Sequence, residues 1–249
     1  MAETLSGKVA VMSGAASGFG KAAAELFAAK DQCALVLIDI NEQALMETAK
    51  NCEAKGSKVV ALQGDVTKPE TFGRALEACV STFGKVDFLI NWAGGAVKLA
   101  PVEEMDEATS RTIIDLNLTS VIVSCRTFLP QFKEQKFGKI INVSSVCDRR
   151  AWPGWSVYSA AKAGVREFSR CLYTEVRPFG VAVTTIVPGG SNTNFQTAAE
   201  NVPSFEWDED LAVRPEHFAD MAYQICALTR GACVSELCLY GLAQDISGF

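Results

Sequence analysis

Short runs of β-branched and apolar residues recur along the chain, separated by longer stretches in which apolar positions follow helical spacing. The runs predict strands over 9–13, 34–39, 58–63, 86–91, 139–144, 181–187 and 236–240. Between them the spacing predicts helices over 20–29, 42–52, 69–83, 108–132, 157–176 and 216–228. Strand–helix alternation of this kind implies an α/β fold: a doubly wound, parallel sheet of about seven strands with helices on both faces. Near-continuous apolar strands such as ALVLI and VAVTTIV agree, since parallel sheets are covered on both sides. No linker, internal repeat or low-complexity tract interrupts the pattern, so residues 1–249 are expected to form a single domain. The longest irregular stretch, 189–215, follows the sixth strand, where a lid over a cleft is expected.

Composition narrows the partners. Of 249 residues, 49% are hydrophobic, enough for a substantial core. Lysine and arginine number 23 against 29 acidic residues, and the net charge of −6 disfavours nucleic acid and anionic membranes. Nine cysteines without a CxxC pair, and a single histidine, read as buried or half-buried thiols in a reducing cytoplasm and not as disulfides or a metal site. The segment MAETLSGKVAVMSG lacks the apolar core of a signal peptide, and no run approaches the ~18 apolar residues of a membrane span. A soluble cytoplasmic protein is expected.

The first predicted strand runs into Ser13-Gly14-Ala15-Ala16-Ser17-Gly18-Phe19-Gly20 and then a helix. Glycines there let the backbone approach a ligand, and a helix N-terminus offers free N–H groups and a positive dipole end to a pyrophosphate. The spacing is GxxxGxG, which a merely flexible turn would also show; its position directly after the strand favours the phosphate reading. Asp39 closes the second strand 19 positions after Gly20. An acid there accepts hydrogen bonds from ribose hydroxyls and repels a 2′-phosphate, and neither positions 40–43 nor the turn holds a lysine or arginine. NAD is expected over NADP, with capping of the next helix as the alternative role for Asp39. Asp65-Val66 and Asn91-Trp92-Ala93-Gly94 end the third and fourth strands, where ligands bind in open sheets, although singly each reads as turn chemistry.

Tyr158 and Lys162 lie four residues apart in a predicted helix and so share a face. A neighbouring ammonium is expected to lower the tyrosine pKa from its ordinary ~10 and make the phenol a general acid/base. Such pairs also occur on helix surfaces without any role. Ser145 stands 13 residues before Tyr158, just past the fifth strand, and can present a hydroxyl to a substrate oxygen.

With SGAASGFG, Asp39, Asp65-Val66, NWAG, Asn117 in DLNL, VSS, YSAAK and PGGSNT in order over nearly its whole length, the chain resembles the compact single-domain branch of the short-chain dehydrogenase/reductase family. The resemblance implies a Rossmann-like fold and an NAD(H)-dependent alcohol dehydrogenase or carbonyl reductase acting on CH–OH donors. It makes Ser145 the group that orients the substrate oxygen, Tyr158 the proton carrier, and Lys162 the residue that holds the nicotinamide ribose and depresses the tyrosine pKa. Asn117 would support a water linking Lys162 to solvent, or be simply a polar helix residue. The implied cofactor-binding set is Gly14, Ser17, Gly18, Phe19, Gly20, Asp39, Ile40, Asp65, Val66, Asn91, Ala93, Gly94, Tyr158, Lys162, Pro188, Gly189, Ser191 and Thr193. Ser13 replaces the more usual threonine, Phe19 a smaller aliphatic, and Trp92 the usual asparagine or alanine.

Between Ser145 and Tyr158 the segment VCDRRAWPGW borders the substrate pocket in this family. Arg149 and Arg150, beside Trp152 and Trp155, could bind a carboxylate or sulfonate; alternatively they are solvated or pair with acids such as Asp148. The segment 152–169 resembles small hydroxy-acid and hydroxy-amino-acid dehydrogenases, so a small polar alcohol or carbonyl, with a carboxylate or sulfonate as the anionic form, is the expected substrate, a larger apolar ketone the alternative. Phe195, Phe205 and Trp207 could close an apolar wall or pack as core. A non-catalytic NAD-binding sensor or assembly protein is the rival from another class; it would be expected to have lost Tyr158, Lys162 or Ser145. Family members often form tetramers through the helices at 108–132 and 157–176, so a homo-oligomer, tetramer or dimer, is expected.

Overall fold

A computed structural model describes residues 3–191, 200–201, 211–242 and 244. Seven parallel strands form one sheet: β1 (Val9–Ser13), β2 (Ala34–Asp39), β3 (Val59–Gln63), β4 (Phe88–Asn91), β5 (Gly138–Val143), β6 (Val181–Pro188) and β7 (Glu236–Leu239). Their spatial order is β3-β2-β1-β4-β5-β6-β7. The chain builds outward from β1 to one edge and then returns to pair β4 with β1. The order thus reverses between those two strands, and a crevice opens at their C-terminal ends. Register puts Ser13 opposite Asn91 and Asn91 opposite Asn142, so three buried polar residues line up at that end.

Helices α1 (Gly18–Asp31), α2 (Glu42–Ala54), α3 (Pro69–Phe83), α4 (Glu107–Ile114), α5 (Ser120–Gln135), α6 (Ser156–Val176) and α7 (Pro215–Ala227) connect the strands. Two apolar clusters cover the sheet: Phe27, Leu37, Phe88 and Phe218 under α1 and α7, and Phe72, Phe128, Ile140 and Val165 under α3, α5 and α6. Local signals set some boundaries well. Proline begins α3 and Gly84, at φ +74°, ends it. Others moved. The fourth strand starts at Phe88 because the Gln135 side chain takes both polar groups of Val86, donating to its carbonyl at 2.7 Å and accepting from its N–H at 3.2 Å. The expected helix at 108–132 is divided by a π-helical turn, Asp115–Thr119, and continues to Gln135. The whole of Glu107–Gln135 is long and apolar enough by composition to cross a membrane, contrary to the sequence expectation, yet Val121, Cys125, Phe128 and Phe132 bury its inner face in the core.

The edges differ from the interior. β3 is half-buried and β7 alternates between exposed and half-buried positions, so the two-sided burial expected from strands such as ALVLI and VAVTTIV holds inside the sheet and not at its edges. The charged end of Lys139, buried on β5, donates to the carbonyls of Ile225 (3.2 Å), Cys226 (2.7 Å) and Leu228, placing a cation at the C-terminus of α7. His217 accepts at Nδ1 from the Arg214 N–H and caps the start of the same helix. All nine cysteines are free; Cys171 and Cys238 are exposed, against the expectation of buried or half-buried thiols.

Candidate active site

At the glycine turn, Gly14 has φ +69°, and a Cβ there would stand 2.8 Å from the Ala93 nitrogen, so the turn lies directly on the loop after β4. A Cβ on Gly20 would meet the Gly14 oxygen at 2.1 Å, which lets α1 start tight against the turn. Ser17 occupies the N-cap without a side-chain capping bond, and no acidic residue stands in the first turn of α1. Free first-turn N–H groups at a positive dipole end fit a diphosphate. Asp39 accepts from the Ala16 N–H (2.9 Å) and the Asn41 N–H (2.9 Å), and Asn41, not Asp39, caps α2. The capping alternative for Asp39 therefore falls: its carboxylate ties the glycine turn to the end of β2. Ile40 beside it is exposed.

The other strand-end residues divide. Asp65 accepts from the N–H and hydroxyl of Thr67, both at 2.8 Å, in a local turn, with Val66 buried behind it. The Asn91 side chain donates to Asn142 (2.8 Å) and accepts from Ser124 (2.8 Å), which commits the side chain to the interior and leaves the backbone of Asn91 at the end of β4 facing the crevice. Ala93 and Gly94 line the turn. Pro188 ends β6, Gly189 donates to the Leu239 carbonyl (2.9 Å), and the Ser191 hydroxyl donates to the Val213 carbonyl (2.6 Å). Thr193, Phe195, Phe205, Trp207 and most of the expected lid lie outside the described residues. Two features had no sequence signal: Gln244 accepts from the Gly190 N–H (3.0 Å), and Phe19 packs between Trp92 (5.8 Å) and Phe218 (4.5 Å).

Beside this turn, α6 brings Tyr158 and Lys162 inside the protein, both buried. Lys162 Nζ donates to the Val143 carbonyl at 2.9 Å and lies 5.7 Å from the centre of the Tyr158 ring. A Cβ on Gly94 would fall 3.1 Å from Lys162 Nζ and 2.8 Å from Asn117 Oδ1, so these three residues converge. Asn117 sits fully buried in the π turn; its amide donates to the carbonyls of Gly95 (2.7 Å) and Ile113 (2.9 Å), and its oxygen accepts from the Gly95 N–H (3.0 Å). Ser145 caps the short turn Val146–Asp148, accepts from the Cys147 N–H at 3.2 Å, and hydrogen-bonds Tyr158.

Burial dominates the electrostatics. It pushes the Tyr158 phenol above its ordinary value, the Cys147 thiol adds to the rise, and the Ser145 hydrogen bond opposes it. Burial also pushes Lys162 down to about 8. The expected lowering of Tyr158 by the ammonium is thus reversed: loss of water outweighs a charge that lies 5.7 Å from the ring centre and is engaged with Val143.

The surroundings of Tyr158 are apolar. Ala96, Leu99, Val146 and Cys147 pack around it, and Val97, Trp152, Trp155 and Tyr240 lie half-buried against them. Trp155 meets the Tyr158 ring edge-on at 5.7 Å, and Trp152 in turn packs tilted on Trp155 at 6.3 Å. Val97 holds a left-handed φ of +60°, which a β-branched residue adopts only under constraint. The Arg150 guanidinium lies 5.5 Å from the Trp152 ring. Arg149 takes the alternative of pairing with acids: its fork is filled by Asp148 (2.6 Å) and Glu236 (2.9 and 3.0 Å), leaving no bidentate face for a substrate anion, against its expected place in the substrate set. A hollow of about 370 Å³ lined by Glu167, Arg170, Tyr173 and Ser235 includes none of these residues.

A family model described as short chain dehydrogenase matches residues 8–202. The chain is 34% identical over 194 residues to the 3beta-hydroxysteroid dehydrogenase 1 of Eggerthella lenta, covering 78% of this chain and 74% of that one. It is 33% identical over 193 residues to the cis-4-hydroxycyclohexanecarboxylate dehydrogenase of Sinomonas cyclohexanicum, covering 78% and 77%. Among solved structures, an alcohol dehydrogenase from the archaeon Thermococcus sibiricus complexed with 5-hydroxy-NADP superposes with a TM-score of 0.84 at 27% identity, over 96% and 98% of the chains. The 3-ketoacyl-(acyl-carrier-protein) reductase of Brucella melitensis complexed with NADH gives 0.83 at 26%, over 94% and 98%.

Proposed function

The chain belongs to the short-chain dehydrogenase/reductase family, and from that premise we propose that it is an NAD(H)-dependent dehydrogenase or reductase of a secondary alcohol with an apolar, alicyclic body. Membership makes it an oxidoreductase that works with a nicotinamide cofactor. The preference for NAD(H), the alcohol and the roles of individual residues are our reading. One observation carries it: Tyr158, Lys162, Asn117 and Ser145 come together beside the glycine turn at the crevice where the strand order reverses.

The turn at 14–20 and the first turn of α1 would hold the diphosphate, Asp39 the adenosine ribose, and Lys162 the nicotinamide ribose. When bound, the cofactor supplies the hydride acceptor or donor. Ser145 orients the substrate oxygen. The raised pKa keeps the proton on Tyr158 at neutral pH, the form that protonates a carbonyl oxygen during reduction. In oxidation that proton must leave first, and Lys162, pushed down to about 8 and next to Asn117, is the group best placed to pass it on.

The apolar wall and the filled fork of Arg149 favour an apolar body over a small anionic alcohol. A relative whose name specifies a hydroxysteroid points the same way, and another, named for a hydroxycyclohexanecarboxylate, shares the alicyclic ring while carrying a carboxylate. A carboxylate on the far end of the substrate is the second reading, on the single observation that Arg150 stacks on Trp152. Association of like chains through α5 and α6 belongs to the proposal; Ile122 is exposed for it, whereas Val121 is spent in the core. A reducing, cytoplasmic setting is supported by nine free cysteines.

The test is turnover of cyclohexanol, cis-4-hydroxycyclohexanecarboxylate and 2-hydroxyethanesulfonate, each with NAD⁺ and NADP⁺. Turnover of the cyclohexanols with NAD⁺ is expected, and Tyr158→Phe should lower kcat by about 10²–10⁴. Activity confined to the sulfonate would sink the apolar reading. Full activity in Tyr158→Phe would remove Tyr158 from its role, and cofactor binding without turnover of any alcohol would leave the non-catalytic binder.

A further inference from the structure

Arg149 is filled by partners from two places, and its geometry concerns the serine rather than the substrate. We infer that Glu236, on the edge strand β7, is a positioning residue that holds Ser145 through Arg149 and Asp148. The inference rests on the role proposed above for Ser145.

Ser145 sits in a five-residue stretch between β5 and the end of a single short turn, too little regular structure to hold a side chain by itself. Its hydroxyl meets the Cys147 N–H and Tyr158, and its neighbours on both sides are held as well. The Ser144 N–H donates to the Ile186 carbonyl on β6 (2.8 Å), and the Ser144 hydroxyl lies 2.8 Å from both the Asp148 carboxylate and the Lys162 carbonyl. Ser144 and Asp148 thereby close a ring around Ser145. The Asp148 side chain is wholly buried, and a buried carboxylate requires a cation. Arg149 supplies it with a 2.6 Å bond from Nε, and Arg166 stands further off at 3.6 Å.

The rest of the Arg149 fork reaches out of the loop. Nη1 donates to Glu236 Oε1 at 3.0 Å and Nη2 to Oε2 at 2.9 Å, two parallel bonds that fix both groups in direction as well as distance. Sheet register pairs Glu236 with Thr185, next to the Ile186 that accepts from Ser144. The clamp therefore spans β6 between two neighbouring positions. The same strand leads to Tyr240 in the apolar wall around Tyr158, so one element holds both the serine loop and part of the pocket. Glu236 is partly exposed and touches no reacting group; it acts through Arg149.

Glu236→Gln keeps the shape and removes the charge, leaving Arg149 paired with Asp148, so the variant is expected to fold. Two measurements decide the matter. Amide hydrogen exchange, read without substrate, should quicken by about fivefold or more at 144–149 and stay unchanged in β1 and α1. With cyclohexanol and NAD⁺, kcat should fall about 5- to 20-fold in Glu236→Gln with KM for NAD⁺ unmoved, and Glu236→Asp should recover part of the loss. In a Ser145→Ala background the same change should cost less than about twofold, because the group it positions is gone. Unchanged exchange at 144–149, an unchanged kcat, or an equal loss in both backgrounds overturns the inference. If the unaltered protein turns over no alcohol, the functional reading has failed, and the exchange measurement alone decides whether the clamp holds the loop.

Discussion

Lys162 keeps an ammonium in the protein interior, and its downward shift to about 8 makes a claim on stability. Its unfolded value is 10.5, so between about pH 8 and 10.5 the unfolded chain binds a proton that the folded chain does not. Stability contributed by this residue therefore rises with pH across that window. Buried thiols act in the opposite direction: Cys52 and Cys226, raised to about 12, hold protons in the fold that the unfolded chain loses near 9.0. The comparison must be with Lys162→Met, which shares those thiols. Urea unfolding without cofactor at pH 7.5 and 10 should show the unfolding free energy of the native protein rising relative to Lys162→Met; a pH-independent difference refutes the shift. The pairing of Tyr158 with Lys162 was legible from four-residue spacing, because helix geometry alone places them on one face. The direction of the tyrosine shift was not, since it follows from how much water the fold removes. Of the two partners of Arg149, the adjacent Asp148 was legible, but Glu236, 87 residues away, was not.

Among the elements, the interrupted helix at Glu107–Gln135 shows why one residue count matters. Periodic apolar positions read correctly as helix, but a pattern of spacing does not register one extra residue in a turn, so the π segment at Asp115–Thr119 was invisible. That turn directs Asn117 inward, where its side chain serves both the N–H and the carbonyl of Gly95. Asn117→Ala strands two half-buried backbone groups of Gly95, and a loss of about 1–3 kcal/mol in unfolding free energy is expected from denaturant titration. A loss under about 1 kcal/mol would mean that Gly95 finds other partners and that the π turn is not held by this contact. By contrast, the turn from β1 into α1 was legible because glycine at 14, 18 and 20 is local chemistry, and the helix start moved only two residues, to Gly18. Edge strands were not: the apolar run of β3 looks like an interior strand, and only the order of the sheet leaves it half-buried.

At the scale of the whole molecule, strand alternation announced the layered fold, while the strand order that creates the crevice depended on pairings between distant segments. The crevice brings together the ends of β1 and β2 on one side and the loops after β4 and β5 on the other. A dinucleotide across it touches both halves of the sheet, so binding should stabilise the fold as one unit. At a ligand concentration 100-fold above Kd the gain is about 2.7 kcal/mol, which for a chain of this length corresponds to a rise in Tm of roughly 5–10 °C. Asp39 is the residue we propose to set which cofactor does this. Its carboxylate already accepts from Ala16 in the glycine turn, and a 2′-phosphate there would face a fixed negative charge. NAD⁺ should thus raise Tm more than NADP⁺ at equal concentration. Asp39→Asn keeps an oxygen for the Ala16 N–H and removes the charge, giving up only the acceptor of the exposed Asn41 N–H, so the gap between the two cofactors should narrow while the fold persists. An equal or larger shift from NADP⁺ in the unaltered protein would show that charge at the end of β2 does not select the cofactor. The surrounding amides of the turn would then have to discriminate without it.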